Sequence, residues 1–172
     1  MPLWLLDVDG VLNVLARSPS EGAPPPAGWL QWRSGEAVAD GVPWPIRFAP
    51  SLAERVRRLH ERGAVECRWL TTWGDDANEG LRRLLGLPAF DVVPVPGETR
   101  EWWKLAAARA LLAREPRRRL VWTDDELGRH PEAVAWARGR RAPSLLLSPR
   151  PEAGLTPRDL REVEWFCRPR TR

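Results

Sequence analysis

Three pairs of polar side chains and one lysine are the residues of this chain whose types suit a phosphate site. Each pair follows a run of apolar residues: Asp7 and Asp9, Thr71 and Thr72, and Asp124 and Asp125. Lys104 is the only lysine among 27 lysine and arginine residues. Carboxylate oxygens are the ligands that Mg²⁺ prefers, while a hydroxyl and an ammonium group can neutralise the oxygens of a phosphate. These residue types therefore indicate a site for Mg²⁺ and a phosphate group.

Each of these features has an ordinary structural explanation when it is taken alone. Two aspartates after a strand can cap the next helix, and two threonines can close a strand end. Lys104 is the strongest single indication of a functional site. The other 26 lysine or arginine positions of this chain are all arginine, so a surface cation would be expected to be an arginine too. The joint occurrence of all four features favours a functional site.

The spacing of Asp7 and Asp9 suits two carboxylates that act at one centre. Residues i and i+2 of a strand lie on the same face, so both side chains can point to one place once the chain turns at Gly10. The carboxyl ends of parallel strands share one edge of a sheet, and ligands bind at that edge. A parallel sheet would therefore gather the polar pairs.

Short apolar runs alternate with amphipathic stretches, which predicts an α/β fold with a mostly parallel open sheet and helices on both faces. The predicted strands are 3–8, 65–70, 90–95 (weakened by Pro94), 120–123 and 144–148. The predicted helices are 51–62, 76–85, 100–114, one that begins at Pro131 and one that begins at Thr156 and Pro157. Caps are expected at the first three helix starts. Ser51 is expected to form a capping box, and Asp76 and Thr99 are expected to cap the second and third helices.

Residues 13–50 interrupt this alternation, because a βα connection usually has about two to six residues. They are predicted to form an insertion beside the carboxyl end of the first strand. Residues 16–28 are typical of a flexible tether. Residues 29–48 are typical of a β-hairpin with a type I′ turn at Asp40 and Gly41. The hairpin is expected to form a small flap over the mouth of the sheet.

The tryptophans of the hairpin allow two interpretations. Trp29, Trp32 and Trp44 could stack on a nucleobase, or they could attach the hairpin to the sheet. Attachment is favoured, because tryptophans with period two in a hairpin usually pack against something. The remaining tryptophans fall on predicted strands and helices and are expected in the core.

Length and composition exclude several classes of protein. The 172 residues fit one domain over 1–172, and 43% hydrophobic residues are too many for a disordered chain. The longest apolar run at the start is far shorter than the about 20 residues of a membrane span, and it lacks the basic region of a signal peptide, so we expect a cytoplasmic protein without a membrane partner. Cys67 and Cys167 have no metal-binding spacing and are expected to be packing residues. Nothing in the sequence predicts an oligomeric state.

Taken together, the motifs resemble those of the haloacid dehalogenase (HAD) superfamily of phosphatases. The stretches similar to the four motifs of that family, in the same order, are LLDVDGVLN at 5–13, WLTTW at 69–73, Lys104 in WWKLA, and LVWTDDEL at 120–127. WLTTWGDDAN and SPRPEAGLTP more closely resemble small actinobacterial HAD proteins related to the HAD domains of bacterial Swiss Army knife RNA-repair proteins. The resemblance implies a three-layer Rossmannoid fold.

The resemblance also implies a mechanism. Asp7 would be the nucleophile that forms an aspartyl-phosphate, and Asp9 would protonate the leaving oxygen and then activate water. Thr71 and Lys104 would hold the phosphoryl oxygens, and Lys104 would also pair with Asp7. Thr72 and Gly10 are further candidates for phosphate contacts.

The same resemblance implies Mg²⁺ as the cofactor. Its ligands would be the carboxylate of Asp7, the backbone carbonyl of Asp9 and the carboxylate of Asp124. Asp125 would be an alternative ligand or a partner of the ligands.

The resulting hypothesis is a Mg²⁺-dependent phosphomonoester hydrolase. Its leading substrate is a phosphorylated RNA or DNA end. The alternatives are a small nucleotide or sugar phosphate as substrate, and a non-catalytic module that binds phosphate or RNA.

Overall fold

The part of the chain that the structure describes contains seven strands. The structure, a computed structural model, describes residues 1–15 and 28–169. The strands are β1 (Leu3–Leu6), β2 (Arg33–Ala39), β3 (Val42–Phe48), β4 (Glu66–Trp69), β5 (Asp91–Val92), β6 (Leu120–Thr123) and β7 (Ser144–Leu147). Five of them form a parallel sheet in the order β5-β4-β1-β6-β7, and β2 pairs with β3 as an antiparallel hairpin. The predicted fold class is confirmed.

Five α-helices lie along the described chain. They are α1 (Pro50–Glu61), α2 (Arg82–Leu85, directly after a π-helical turn at Ala77–Leu81), α3 (Trp103–Leu112), α4 (Pro131–Arg138) and α5 (Pro157–Cys167). The helices cover both faces of the sheet, as the residues of β1 show. Trp4 and Leu6 enter a core with α1 and α5, whereas Leu3 and Leu5 enter a second core with α3 and α4. A strand buried on both faces is apolar at every position, which explains the unbroken run Leu3–Leu6.

The helix starts differ from the predicted caps at three places, Ser51, Thr99 and Asp76. The first helix begins at Pro50, one residue before the predicted capping box, and its N-cap Ala49 makes no side-chain cap bond. Proline is favoured at the first helical position because its φ angle is already helical. The helix therefore begins before Ser51, and the predicted capping box at Ser51 is wrong. The third helix begins only at Trp103, so Thr99 is not its cap. The last helix begins at the predicted place, and its start carries a capping box formed by Thr156 and Asp159, which was not predicted from the sequence.

Asp76 is also not a side-chain cap. It stands before the π-helical turn but makes no cap bond there. Its carboxylate instead accepts a hydrogen bond from the backbone amide of Asp40 at 2.8 Å. The third strand of the sheet is also shorter than the predicted 90–95, since regular pairing covers only Asp91–Val92 and Pro94 cannot donate to a ladder.

The hairpin is attached to the rest of the fold. Its turn residues Asp40 and Gly41 both have positive φ angles, of 50° and 74°, which confirms the predicted type I′ turn. The inner face buries Ala37, Ile46 and Phe48 in the core shared with α1 and α5. Strand β2 also packs against the π-helical turn and α2. Of the predicted tether 16–28, all but the last residue lies outside the described residues.

The tryptophans of the hairpin region separate into two groups. Trp29 is buried and its Nε1 donates to the carbonyl of Leu155 at 2.7 Å, and Trp32 packs against the core, so attachment is confirmed for these two. Trp44 is 51% exposed, so the predicted attachment is wrong for this residue. The expectation that the remaining tryptophans lie in the core is wrong for Trp165, which is 71% exposed on α5.

The cysteines are buried with free thiols, as predicted for packing residues. Burial raises the pKa of Cys167 to about 11. Within the described residues, the helices are too short and too polar to cross a membrane.

Candidate active site

The site is built around the carboxyl end of β1, the central strand. Both neighbours of β1 are parallel to it, with β4 and β5 on one side and β6 and β7 on the other. In open α/β sheets, ligands bind in the crevice outside the carboxyl ends of the strands at such a central point. Asp7 is the first residue after this strand, and its backbone amide still donates to the carbonyl of Thr123 on β6 at 3.1 Å. Its Oδ1 accepts a bond from the amide of Val8 at 2.7 Å. The backbone thus fixes the side chain of Asp7 at the crevice.

Lys104 joins two carboxylates in this crevice. Its Nζ lies 2.6 Å from Oδ2 of Asp7 and 2.7 Å from Oδ2 of Asp124, and the residue is only 2% exposed. The first turn of α3 brings it there, with the rings of Trp102 and Trp103 centred 5.7 Å and 5.8 Å from Nζ. The structure therefore places one ammonium group between the ends of β1 and β6.

Burial and charge together set the pKa values of the three groups. Burial lowers the pKa of Lys104, but the two carboxylates raise it by more, so the side chain stays charged. Burial, and then the charge of Asp7, raise the pKa of Asp124 to about 7 in spite of Lys104. Burial likewise raises the pKa of Asp7, although Lys104 opposes the shift. One ammonium group does not offset two buried carboxylates.

Three carboxylates of the site could hold a metal ion. Asp7, Asp124 and Asp125 each offer an oxygen atom, and these atoms lie within 4.8 Å of one another. Oxygen donors in such a cluster suit a hard divalent cation. Burial, and then the charge of Asp7, raise the pKa of Asp124, and a bound cation would favour its ionised form. The residues present therefore fit a divalent metal ion.

Gly10 lets Asp125 come close to the first turn. Gly10 has a φ of +69°, and a Cβ there would lie 2.6 Å from Cγ of Asp125. Any side chain at this position would displace that carboxylate. The amide of Gly10 donates to the carbonyl of Asn13 at 2.8 Å, so this group is already engaged.

Asp9 stands outside the acidic cluster and is held by two neutral donors. Its Oδ1 accepts from Nδ2 of Asn13 at 2.7 Å, and its Oδ2 accepts from Nε1 of Trp73 at 2.9 Å. The sequence interpretation gave Trp73 a packing role only, and it missed Asn13. Trp73 is indeed in the core, but it also orients the Asp9 carboxylate. The position of Trp73, two residues after the predicted site residue Thr71, was the sequence signal that could have indicated a role in the site.

The two threonines after β4 occupy different environments. Thr71 is buried, and its hydroxyl contributes a hydrogen bond that lowers the pKa of Asp7. The hydroxyl also accepts from the amide of Trp73 at 3.4 Å. Thr72 is exposed. The fold therefore brings Thr71, but not Thr72, to the two aspartates and the lysine.

Comparison with known proteins adds one finding. The model of a family described as the HAD domain in Swiss Army Knife RNA repair proteins matches residues 3–160. This range runs from β1 into α5 and includes every residue of the candidate site. Searches of the curated proteins and of the solved structures find no match.

Proposed function

The chain belongs to the family of HAD domains in Swiss Army Knife RNA repair proteins, and from this premise we propose that it is a Mg²⁺-dependent phosphomonoester hydrolase acting on nucleic-acid end phosphates. The family supports a HAD-type hydrolase. The observation that carries the proposal is the Lys104 ammonium group at 2.6 Å and 2.7 Å from Asp7 and Asp124. Such an arrangement suits a phosphoryl group whose oxygens need neutralisation next to a nucleophilic carboxylate.

In the first step, a carboxylate oxygen of Asp7 attacks phosphorus and forms an aspartyl-phosphate. The bond between phosphorus and the leaving oxygen breaks, and Asp9 donates a proton to that oxygen. Lys104 and Thr71 hold the phosphoryl oxygens during the transfer. Two donors, Nδ2 of Asn13 and Nε1 of Trp73, hold the carboxyl group of Asp9 in one orientation.

In the second step, water attacks the same phosphorus atom. Asp9, now ionised, accepts a proton from the water, and the bond between phosphorus and Asp7 breaks. Inorganic phosphate leaves, and both aspartates return to their initial forms. Two moderate barriers thus replace one high barrier.

The carboxylates of Asp7 and Asp124 and the backbone carbonyl of Asp9 would hold the divalent cation, with the Asp125 carboxylate, which belongs to the same acidic cluster, as an alternative ligand. The cation supplies positive charge that offsets the charge of the phosphoryl oxygens. Asp124 is the residue whose protonation competes with the metal, because burial and Asp7 raise its pKa to about 7.

Two features support a nucleic-acid end as the substrate. The family description names RNA repair proteins. The chain also has a formal net charge of +4, with arginine as nearly all of its cationic residues. Positive charge favours the approach of a phosphate backbone.

The chemistry is tested by hydrolysis of an aryl phosphate with Mg²⁺ and with a chelator. We expect turnover that depends on the metal and falls by at least about 10³-fold in Asp7→Asn, because an amide cannot attack phosphorus. Asp75→Asn, an exposed aspartate outside the acidic cluster, is the matched control and should keep the rate. Full activity of Asp7→Asn would exclude Asp7 as the nucleophile.

The substrate is tested with oligonucleotides that carry a phosphate at the 5′ or the 3′ end, against nucleotide and sugar phosphates. A higher kcat/KM for the oligonucleotides supports the proposal, and a higher value for a small ester assigns that ester class instead. Silence with every ester, together with metal-dependent binding of a phosphorylated oligonucleotide, would indicate a non-catalytic binding module.

A further inference from the structure

Arg47 on β3 is tied to the proposed acid Asp9 through a single side chain. The backbone amide of Arg47 donates to Oδ1 of Asn13 at 2.8 Å, and Nδ2 of Asn13 donates to Oδ1 of Asp9 at 2.7 Å. The carbonyl of Arg47 also accepts from the amide of Val14 at 2.9 Å. Two backbone bonds thus fix this part of the hairpin beside the loop that carries Asp9.

The guanidinium group of Arg47 has unused donor capacity. Its Nη1 is buried and has no hydrogen-bond partner in the described part of the chain. Among the described residues, the salt bridges also leave Arg47 without a carboxylate. The guanidinium carbon lies 5.6 Å from the ring centroid of Trp32, whose Nε1 is likewise buried without a partner. Buried donors without acceptors are costly, and the planar guanidinium of an arginine stacked on an indole is oriented for an anion with two oxygens.

The roles of the site residues locate this pair relative to the substrate. Lys104 and Thr71 define the side of the site where the phosphoryl group is held. Asp9 marks the leaving-group side, because in the proposed mechanism it protonates the leaving oxygen. Asn13 binds both Asp9 and the backbone amide of Arg47, so the part of β3 that carries Arg47 lies next to the proposed acid.

We propose that Arg47, with the indole N–H of Trp32, binds a second phosphate on the leaving group of the substrate. The inference rests on the proposed function, since the role of Asp9 defines the leaving-group side. An arginine fork matches two phosphate oxygens at once. The second phosphate has two sources, the phosphodiester of a nucleic-acid strand and the second phosphate of a nucleoside bisphosphate. Both present the same anionic oxygens.

The test is the preference for a dinucleotide with a terminal phosphate over a nucleoside monophosphate, at the 5′ and the 3′ end separately. The preference is the ratio of the two kcat/KM values. In Arg47→Gln this ratio should fall at least about tenfold, because a charge-assisted hydrogen bond is lost only for the substrate with two phosphates. A fall in the ratio no larger than that in the control overturns the proposal.

Arg33→Gln is the matched control. Arg33 is an exposed arginine on β2 of the same hairpin, so its removal changes the net charge equally. Its ratio should stay near that of the wild type. An equal fall in both variants would assign the effect to general charge and overturn the role of Arg47.

Two further arms sharpen the result. Nucleoside 3′,5′-bisphosphates replace the dinucleotide in a parallel series, and the series whose preference depends on Arg47 identifies the source of the second phosphate. Trp32→Phe removes one indole N–H and keeps an aromatic ring. It should lower the same ratio, and it serves as the test if Arg47→Gln does not fold.

Failure of the proposed function gives a different pattern. If the wild type hydrolyses no ester, binding of a fluorescent phosphorylated dinucleotide is measured instead. Affinity that weakens at least about tenfold in Arg47→Gln, but not in Arg33→Gln, supports the anion site without catalysis. Equal affinities in the three proteins, or no binding by the wild type, overturn it.

Discussion

Lys104 has to satisfy two carboxylates at once within a buried site. Its Nζ is a single compact donor centre that reaches Asp7 and Asp124 at 2.6 Å and 2.7 Å. Each of the other cationic side chains except histidine is an arginine, whose fork is wider and carries its charge over a plane. The chemistry of the position therefore explains why one lysine is present.

Lys104→Arg should lower kcat/KM for an aryl phosphate by at least about 100-fold, a loss similar to that of one misplaced or missing donor in an oxyanion hole. The wider guanidinium group cannot lie between the two aspartates without displacing one of them. Circular dichroism checks that the variant is folded. A near-normal rate would contradict the requirement for an ammonium group.

Trp73 acts on the reaction through Asp9, so its effect should depend on the leaving group. Trp73→Phe removes one of the two donors that hold Asp9. We expect kcat to fall about tenfold for esters of weakly acidic alcohols, which need the proton from Asp9, and much less for an activated aryl ester. A series of esters with different leaving-group acidity measures this. Equal losses across the series would assign Trp73 a purely structural role.

At the scale of elements, the hairpin depends on its turn and on one remote contact. Asp40 and Gly41 both adopt positive φ angles, and the amide of Asp40 is held by the carboxylate of Asp76. The turn therefore fixes the pairing of β2 with β3. Asp76 attaches this turn to the start of the π-helical turn at Ala77–Leu81. The carboxylate is engaged here and is not a helix cap.

Gly41→Ala should reduce the free energy of unfolding by about 1 kcal/mol, because a Cβ disfavours a φ of +74°. No atom lies within 4 Å of the added Cβ, so the effect is confined to the backbone. Gly97→Ala is the control, since that Cβ also meets nothing and should change stability by less than about 0.5 kcal/mol. Urea denaturation measures both. Equal effects would mean that the turn conformation does not limit stability.

At the scale of the whole molecule, the acidic cluster links stability to pH and to metal. The pKa of Asp124 is raised from its ordinary value of 3.8 to about 7, first by burial and then by Asp7. Between these two values the unfolded chain ionises this group and the folded chain does not. The folded state therefore binds more protons, and the contribution of Asp124 to stability is lost as the pH rises toward 7.

In metal-free buffer, the free energy of unfolding of Asp124→Asn should therefore rise relative to that of the wild type as the pH increases from 5 to 8. The expected relative gain is on the order of 2 kcal/mol. Mg²⁺ should reverse the order at pH 8, because it stabilises only a protein with an intact cluster. Urea denaturation with chelator and with Mg²⁺ measures both effects. Asp75→Asn serves as the control. A difference between the two proteins that is constant from pH 5 to pH 8 would exclude a raised pKa of Asp124.

Local sequence signals were sufficient for much of the architecture. Apolar runs bounded by turn residues predicted the strands of the parallel sheet, and Asp40 with Gly41 predicted a type I′ turn. These signals depend on residues that are close together in the sequence, so they can be recognised without knowing how distant segments pack. The order of the polar motifs along the strands also predicted that Asp7, Lys104 and Asp124 would meet, because parallel strands end at a common edge.

Other features depended on the packing of distant segments. Asp76 and Thr99 carry ordinary cap signals, yet neither caps a helix, because one side chain binds a turn 36 residues away and the other helix begins later. Trp73 meets Asp9 across 64 positions. Such partners become neighbours only when the strands and the hairpin have packed, since a polar side chain takes whichever donor or acceptor the completed fold leaves within reach.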